Sequence, residues 1–215
     1  MRIVIAGGHG QIARRLGRLL AAAGHEPVGL IRNPAHAADL EADGSTAVLL
    51  DLEQVSAAQV AEHLAGADAV VFAAGGGPGS GAARKETVDK GAAILLAEAA
   101  EAAGVRRYLM VSAIGVEGAD PTSEDVFQIY LRAKADADAD LRARDLDWTV
   151  VRPGGLTDQP GTGLIAVGDL GRGGQVTRDD VAAVLVACLK QPVTIGTTFD
   201  LLNGDTPIDA ALAKL

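Results

Sequence analysis

Short runs of β-branched and other apolar residues alternate with longer Ala- and Leu-rich stretches from one end of the chain to the other. That alternation predicts strand-helix-strand units around a parallel sheet. Strands are expected at Arg2–Ala6, Pro27–Ile31, Thr46–Leu50, Ala69–Phe72, Arg107–Val111, Trp148–Arg152 and Thr198–Leu202. Helices are expected at Gln11–Ala23, Pro34–Ala42, Val55–Leu64, Thr87–Ala103, Val126–Arg144, Arg178–Lys190 and Pro207–Lys214. Gly24, Gly44 and Gly104 fall where helix C-termini favour glycine. The fold class is therefore α/β, with a doubly wound, parallel central sheet.

Two segments resist that pattern. Gly75–Arg84 is almost all Gly, Ala, Ser and Pro, and Gly154–Gly174 is rich in glycine, so both read as long functional loops. Ala133–Asp140 alternates with a strand-like period of two, but Ala and Asp are poor strand formers, so it reads as helix with a solvated acidic face. At 215 residues and 48% hydrophobic content the chain fits a single domain, 1–215, able to bury a sheet on both faces. Aromatics make up only 3%, so Leu, Val, Ile and Ala must fill the core.

Charge narrows the partners. With 19 basic against 28 acidic side chains the net charge is −9, and no cluster of Lys and Arg offers a footprint for nucleic acid or an anionic membrane. The one cysteine, Cys188, cannot close an internal disulfide, and no Cys/His spacing suits zinc. A cytoplasmic protein with a small-molecule substrate, no metal, and a monomeric or small homo-oligomeric state is expected.

The first strand runs directly into Gly7-Gly8-His9-Gly10-Gln11-Ile12-Ala13 and then a helix, the context required of a dinucleotide fingerprint. Gly7 permits the tight turn, Gly10 lets backbone N–H groups approach a pyrophosphate, and Ala13 lets helix and strand pack closely. At the end of the second strand, where an NAD-preferring site carries a carboxylate, stands Arg32. A guanidinium there pairs with a 2′-phosphate, so NADP(H) is expected, with NAD(H) as the weaker alternative. Arg14 and Arg15 are secondary candidates. Asp51-Leu52 either contacts adenine or, through Asp51, caps the following turn. Ala73, Ala74 and Gly75 end the fourth strand on residues small enough for ribose and phosphate to lie across backbone.

Tyr130 and Lys134 lie four apart and so share a helical face. A phenol acts as an acid-base near neutrality only if its ionised form is stabilised, and the Lys134 ammonium has the right sign; Lys134 also reaches the nicotinamide ribose. Ser112, ending the fifth strand, would orient a substrate carbonyl.

Taken together, these residues and Arg152-Pro153-Gly154-Gly155-Leu156-Thr157 resemble the short-chain dehydrogenase/reductase superfamily. More narrowly, they resemble its atypical NAD(P)H-binding branch of NmrA-like and biliverdin-reductase-B-like proteins. The likeness extends through Val88-Asp89, Gly104-Val105-Arg106-Arg107 and Asp179-Asp180-Val181-Ala182. It implies a Rossmann fold with Gly7, Gly10, Gln11 and Ile12 at the pyrophosphate, and Arg32 and Asn33 at the 2′-phosphate. It further implies Asp51 and Leu52 at adenine, Ala73, Ala74 and Gly75 along the ribose, and Pro153, Gly154, Gly155 and Leu156 beside the nicotinamide. Departures are the third fingerprint position, which is Ala13, and the lack of the C-terminal substrate domain found in nucleotide-sugar epimerases.

The expected function is hydride transfer from NADPH to a small carbonyl, quinone or flavin, with Tyr130/Lys134 as the proton-donor pair. Small substrate loops are expected at 113–125 and 154–176. A non-catalytic NADP(H) sensor is the alternative, with epimerase or isomerase chemistry less favoured.

Overall fold

In β1 (Arg2–Ala6), Ile3 and Ile5 face one layer of helices while Val4 and Ala6 face the other, and all four are buried. A strand covered on both sides must be apolar at every position, which is why it reads as a continuous run rather than an alternation. The computed structural model describes residues 1–77, 79–171 and 173–215. After β1 come β2 (Glu26–Ile31), β3 (Thr46–Leu49), β4 (Ala69–Phe72), β5 (Arg107–Val111) and β6 (Asp147–Pro153). They are followed by β7 (Gly155–Thr157), β8 (Leu164–Gly168), β9 (Gln175–Thr177), β10 (Thr197–Asn203) and β11 (Thr206–Pro207).

The main sheet has the order β11-β8-β10-β6-β5-β4-β1-β2-β3. From β3 through β10 every pairing is parallel, and β8 and then β11 add antiparallel strands at one edge. Strand order reverses between β1 and β4, so the carboxyl ends of those strands flank the crevice where a doubly wound sheet receives its ligand.

The helices are α1 (Gln11–Ala22), α2 (Ala37–Ala42), α3 (Ala57–Leu64), α4 (Ala82–Arg84), α5 (Ala93–Ala103), α6 (Val126–Arg142), α7 (Arg178–Lys190) and α8 (Ile208–Leu212). One core joins α1, α7 and α8 to the sheet through Leu16, Leu20, Val181, Leu185 and Leu212. The opposite core uses Leu64, Leu96, Leu141 and the fully buried Phe72. Each such side chain taken out of water contributes about 1.5–3 kcal/mol, so the aromatic-poor core is held by many aliphatic contacts. Capping fixes the helix starts: Ser56 and Gln59 form a capping box at α3, Asp125 caps α6, and Thr177 caps α7.

The structure departs from the sequence pattern in several places. Pro34–His36 is a 3-10 turn leading into α2, and α3 begins at Ala57 because Ser56 is its cap. The helix expected from Thr87 starts at Ala82 and passes through a π-helical stretch, Lys85–Ala92, before α5. The segment read as one long loop, Gly154–Gly174, contains β7 and β8. β7 pairs with β9 in a separate two-stranded sheet and β8 joins the main one. Short strands rich in glycine carry too little apolar periodicity to be seen in sequence. The loop expected at 113–125 contains a 3-10 turn, Val116–Gly118.

Candidate active site and dinucleotide crevice

Gly7 has φ +76, and a Cβ there would come within 2.6 Å of the Ala74 Cα and 2.8 Å of its nitrogen. The β1–α1 turn and the end of β4 are therefore pressed together at the strand-order reversal. Gly10 donates its N–H to Gly7 O at 2.7 Å and stands at the head of α1 with no side-chain cap and no acidic residue in the first turn. The N–H groups of Gln11 and Ile12 thus begin a helix without a side-chain acceptor, and the helix dipole favours an anion there. Gly8 was not singled out by sequence, yet a Cβ on it would meet the Gly29 Cα of β2 at 2.6 Å, so two glycines let β1 and β2 converge beneath the turn. This cradle fits a pyrophosphate.

Arg32 is exposed at the end of β2, 3.5 Å from Glu53, which also pairs with Arg84 at 3.1 Å and accepts the Thr87 hydroxyl. Asn33 caps the 3-10 turn, its Oδ1 accepting Ala35 N–H at 3.0 Å. Asp51 accepts Glu53 N–H at 3.1 Å, so it serves as the cap of its turn, and Leu52 packs at the margin of the core beside it. Arg14 and Arg15 are each committed elsewhere, Arg14 to Asp43 and Arg15 to Asp158 and Asp179.

The second half of the site is built around Asp89, a carboxylate on the π-helical stretch that is 1% exposed. It accepts Gly76 N–H at 3.0 Å and lies 3.7 Å from Lys134 Nζ and 3.9 Å from Lys85 Nζ. Ala73, Ala74 and Gly75 lead into this clasp, and a Cβ on Gly75 would reach Asp89 at 3.0 Å. Lys134 also donates to Val111 O at 3.1 Å and stands over the Phe72 ring. Burial pushes the Lys134 ammonium below its ordinary range, with Asp89 and Asp138 opposing. Lys85 donates to Gly77 O at 3.1 Å and lies 5.4 Å from the centre of the Tyr130 ring.

Tyr130, Lys134 and Asp138 project from α6 at successive four-residue steps, which puts them on one face. Burial pushes the Tyr130 phenol above its ordinary value, and Asp89 and Asp138 push it further. The sequence suggested the opposite because Lys134 was visible there and the two carboxylates were not. Asp138, fully buried, pairs with Arg152 at 3.0 Å, and Arg152 reaches Glu117 at 2.9 Å. Burial raises the Asp138 carboxyl, while Ser112 and Arg152 oppose that. Ser112 is close enough to exert that pull, yet neither Ser112 Oγ nor Asp138 Oδ1 completes a hydrogen bond of good geometry. A buried hydroxyl left without a partner at the end of β5 is free to meet a ligand oxygen.

Pro153 ends β6, and Gly154, Gly155 and Leu156 follow, with a Cβ on Gly154 blocked by Leu202 at 2.4 Å and Gly174 O at 2.8 Å. Beside them a cavity of about 240 Å³ is lined by Ile114, Gly115, Gly118, Phe127, Gln128, Leu131 and Gly173. A second, of about 360 Å³, shares Gly115 and reaches Arg142, Arg152 and Asp200. Asp89, Lys85 and Asp138 are the site residues that sequence reasoning missed. Their signal was the four-residue spacing of Lys85 to Asp89 and of Lys134 to Asp138. Among the described residues no group of three or more His, Cys, Asp or Glu side chains is arranged to hold a metal, and no helix is long and apolar enough to cross a membrane.

A protein of Bacillus subtilis named the uncharacterized sugar epimerase YhfK is 40% identical over the full length of both chains. A Bacillus halodurans structure, described as a candidate NAD-dependent epimerase/dehydratase, is 38% identical, covers 100% of each chain and superposes with TM-score 0.92. The oxidoreductase YlbE of Lactococcus lactis is 29% identical, covering 100% of this chain and 96% of its own, with TM-score 0.87. The family model for NAD(P)H-binding proteins matches residues 7–192, and the match begins on the glycine turn at the head of the crevice. The chain belongs to this NAD(P)H-binding family.

Proposed function

We propose that this protein is an NADPH-dependent reductase of a small carbonyl, quinone or flavin. The observation that carries the reading is the Lys134–Asp89 ion pair, buried at the ends of β4 and β5 and one helical turn from Tyr130. It places a fixed ammonium and a phenol beside a backbone clasp of small residues. When bound, the dihydronicotinamide supplies the hydride. The chain's own residues hold the cofactor and manage the proton. Gly7, Gly10, Gln11 and Ile12 receive the pyrophosphate, and Arg32 receives the 2′-phosphate. Ala73, Ala74 and Gly75 leave room for the ribose, which Lys134 hydrogen-bonds, and Pro153 to Leu156 wall the nicotinamide.

Ser112 orients the acceptor oxygen, and Tyr130, whose raised phenol keeps its proton at neutral pH, donates it as negative charge develops on that oxygen. The open cavity lined by Phe127 and Leu131 offers the acceptor an apolar wall. A second reading, epimerase chemistry, draws on the name of the Bacillus subtilis relative, and would need Tyr130 as its phenolate to accept a hydroxyl proton, a form that burial disfavours here.

Following NADPH consumption against quinones, flavins, aldehydes and ketones separates these. Acceptor-dependent consumption lost in Tyr130→Phe supports carbonyl reduction, and consumption that survives it supports quinone or flavin reduction. Cofactor binding without consumption by any acceptor overturns the reductase reading in favour of a sensor or epimerase.

A further inference from the structure

The imidazoles of His9 and His36 stack at 3.6 Å between ring centres, only 10° from parallel. Two of the chain's four histidines thus meet where the glycine turn before α1 faces the segment that follows Arg32. The surrounding charges are arranged around one ring and not the other. His9 Nε2 lies 2.7 Å from Asp39 Oδ2 on α2. Asp39 lies 3.5 Å from Arg14 on α1, and the hydrogen bond from His9, followed by the Arg14 charge, keeps its carboxyl below the usual range. Arg14 and Arg18 are themselves held by Asp43. Arg32 stands toward Glu53 and Arg84.

His36 faces no carboxylate among the described residues. Its Nε2 is 3.4 Å from Asn33 Nδ2, and the orientation of that amide is fixed because Oδ1 accepts Ala35 N–H. An amide nitrogen only donates, so His36 Nε2 is the acceptor in this contact. A neutral ring can stack on a charged one, but two charged rings at this separation repel unless an anion lies beside them.

We propose that His9 and His36 add to Arg32 in selecting the 2′-phosphate, and that they do so by taking up a proton, so that discrimination in favour of NADPH strengthens as the pH falls. The inference rests on the reading that the 2′-phosphate docks at Arg32. A phosphate monoester is largely dianionic above about pH 6, so it supplies the missing counter-charge across the range in which imidazole titrates. Binding that adds one proton changes affinity by up to about tenfold per pH unit. The 2′-hydroxyl of NADH has no charge to offer, so its affinity carries no such slope.

The probes are 2′,5′-ADP and 5′-AMP, titrated calorimetrically into the full chain between about pH 8.5 and about pH 6.5. The affinity ratio of the two rises by about tenfold toward low pH, and repeating the titration in buffers of different ionisation heat shows uptake of about one proton for 2′,5′-ADP alone. His36→Gln and His9→Asn flatten that slope. Both residues are at the surface turn, and retention of 5′-AMP binding reports that each variant is folded. A ratio well above unity that stays level with pH, or that keeps its slope in both variants, overturns the histidine assignment while leaving Arg32 standing. A ratio near unity at every pH, unchanged by Arg32→Ala, overturns both.

Discussion

A side chain at residue 7 would occupy the place of Ala74: the built Cβ stands 2.6 Å from the Ala74 Cα, on a backbone whose φ is +76. Gly7→Ala therefore combines left-handed strain with a backbone collision, costing about 2–3 kcal/mol and lowering Tm by roughly 5–10 °C. Gly10→Ala is the contrast. Its φ is −62 and its Cβ would meet Gly7 O at 3.0 Å and Ala73 O at 3.5 Å, so stability falls by less than about 1 kcal/mol while NADPH binding weakens through the obstructed anion site. Thermal melts with and without NADPH test the pair. Equal loss of stability in the two variants would show that the turn is not held by the Gly7–Ala74 contact.

Arg32 and Glu53 give a second test. Arg32→Ala removes a charge-assisted pairing and is expected to weaken NADPH binding by about 10- to 150-fold with little change for NADH. Glu53→Gln acts in the opposite sense. It removes the carboxylate that faces Arg32 at 3.5 Å and Arg84 at 3.1 Å, so NADPH affinity rises by about two- to fivefold. Isothermal titration of both cofactors decides it, and a Glu53→Gln protein that binds NADPH more weakly would show that Glu53 positions Arg32 instead of competing with its ligand.

The glycine turn, Arg32 and the Tyr130/Lys134 spacing were readable because each is local: a strand, a turn and a helix lie within a few residues of one another. Asp89 was not readable in the same way. Its meaning comes from Lys134, a distant residue brought to 3.7 Å by packing of the π-helical stretch against α6. Asp138 shows the same limit, because an acid in an alternating Ala/Asp stretch looks solvated until Arg152 is found beneath it at 3.0 Å. The strands β7 and β8 were missed for a different reason: they are short, glycine-flanked, and specified by pairing rather than by their own periodicity. Parallel core strands, each buried on both faces, carried the strongest signal, and their bounds agree with the sequence to within about a residue.

Asp43 sets an acid-side dependence. Hydrogen bonds from Arg14, at 2.5 Å, and then Arg18 hold its carboxyl below the usual range. A carboxyl lowered in the folded state contributes stability that is fully present above its unfolded value and is lost as pH falls through the folded one. Asp43→Asn should thus cost about 1 kcal/mol at neutral pH, and the difference from the parent should shrink steadily below about pH 4. Urea unfolding across that range measures it. A difference that stays constant into acid would mean that Asp43→Asn loses packing or hydrogen-bond geometry the amide cannot reproduce, and that charge is not the cause.

Asp89→Asn probes the buried cluster from the alkaline side. The amide keeps the shape and its oxygen can still accept Gly76 N–H, but the Lys85 and Lys134 ammoniums lose the carboxylate between them. Removing one partner of a buried ion pair costs about 3 kcal/mol at neutral pH. Lys134 is already pushed down by burial, and Asp89 is the largest influence opposing that, so its loss drives Lys134 further toward the neutral amine. A lysine whose folded value lies below its unfolded one binds fewer protons when folded, so stability rises with pH in the interval between the two. The Asp89→Asn protein should accordingly recover part of its lost stability between neutral pH and about pH 10, narrowing the gap to the parent. Adding Lys134→Met removes the stranded charge, so the double variant should be more stable at neutral pH than Asp89→Asn alone. If the two substitutions are instead additive in urea unfolding at every pH, the Lys134–Asp89 contact is not an energetic pair, and the ammonium must be stabilised by Val111 O, the Phe72 ring and the Asp138 charge.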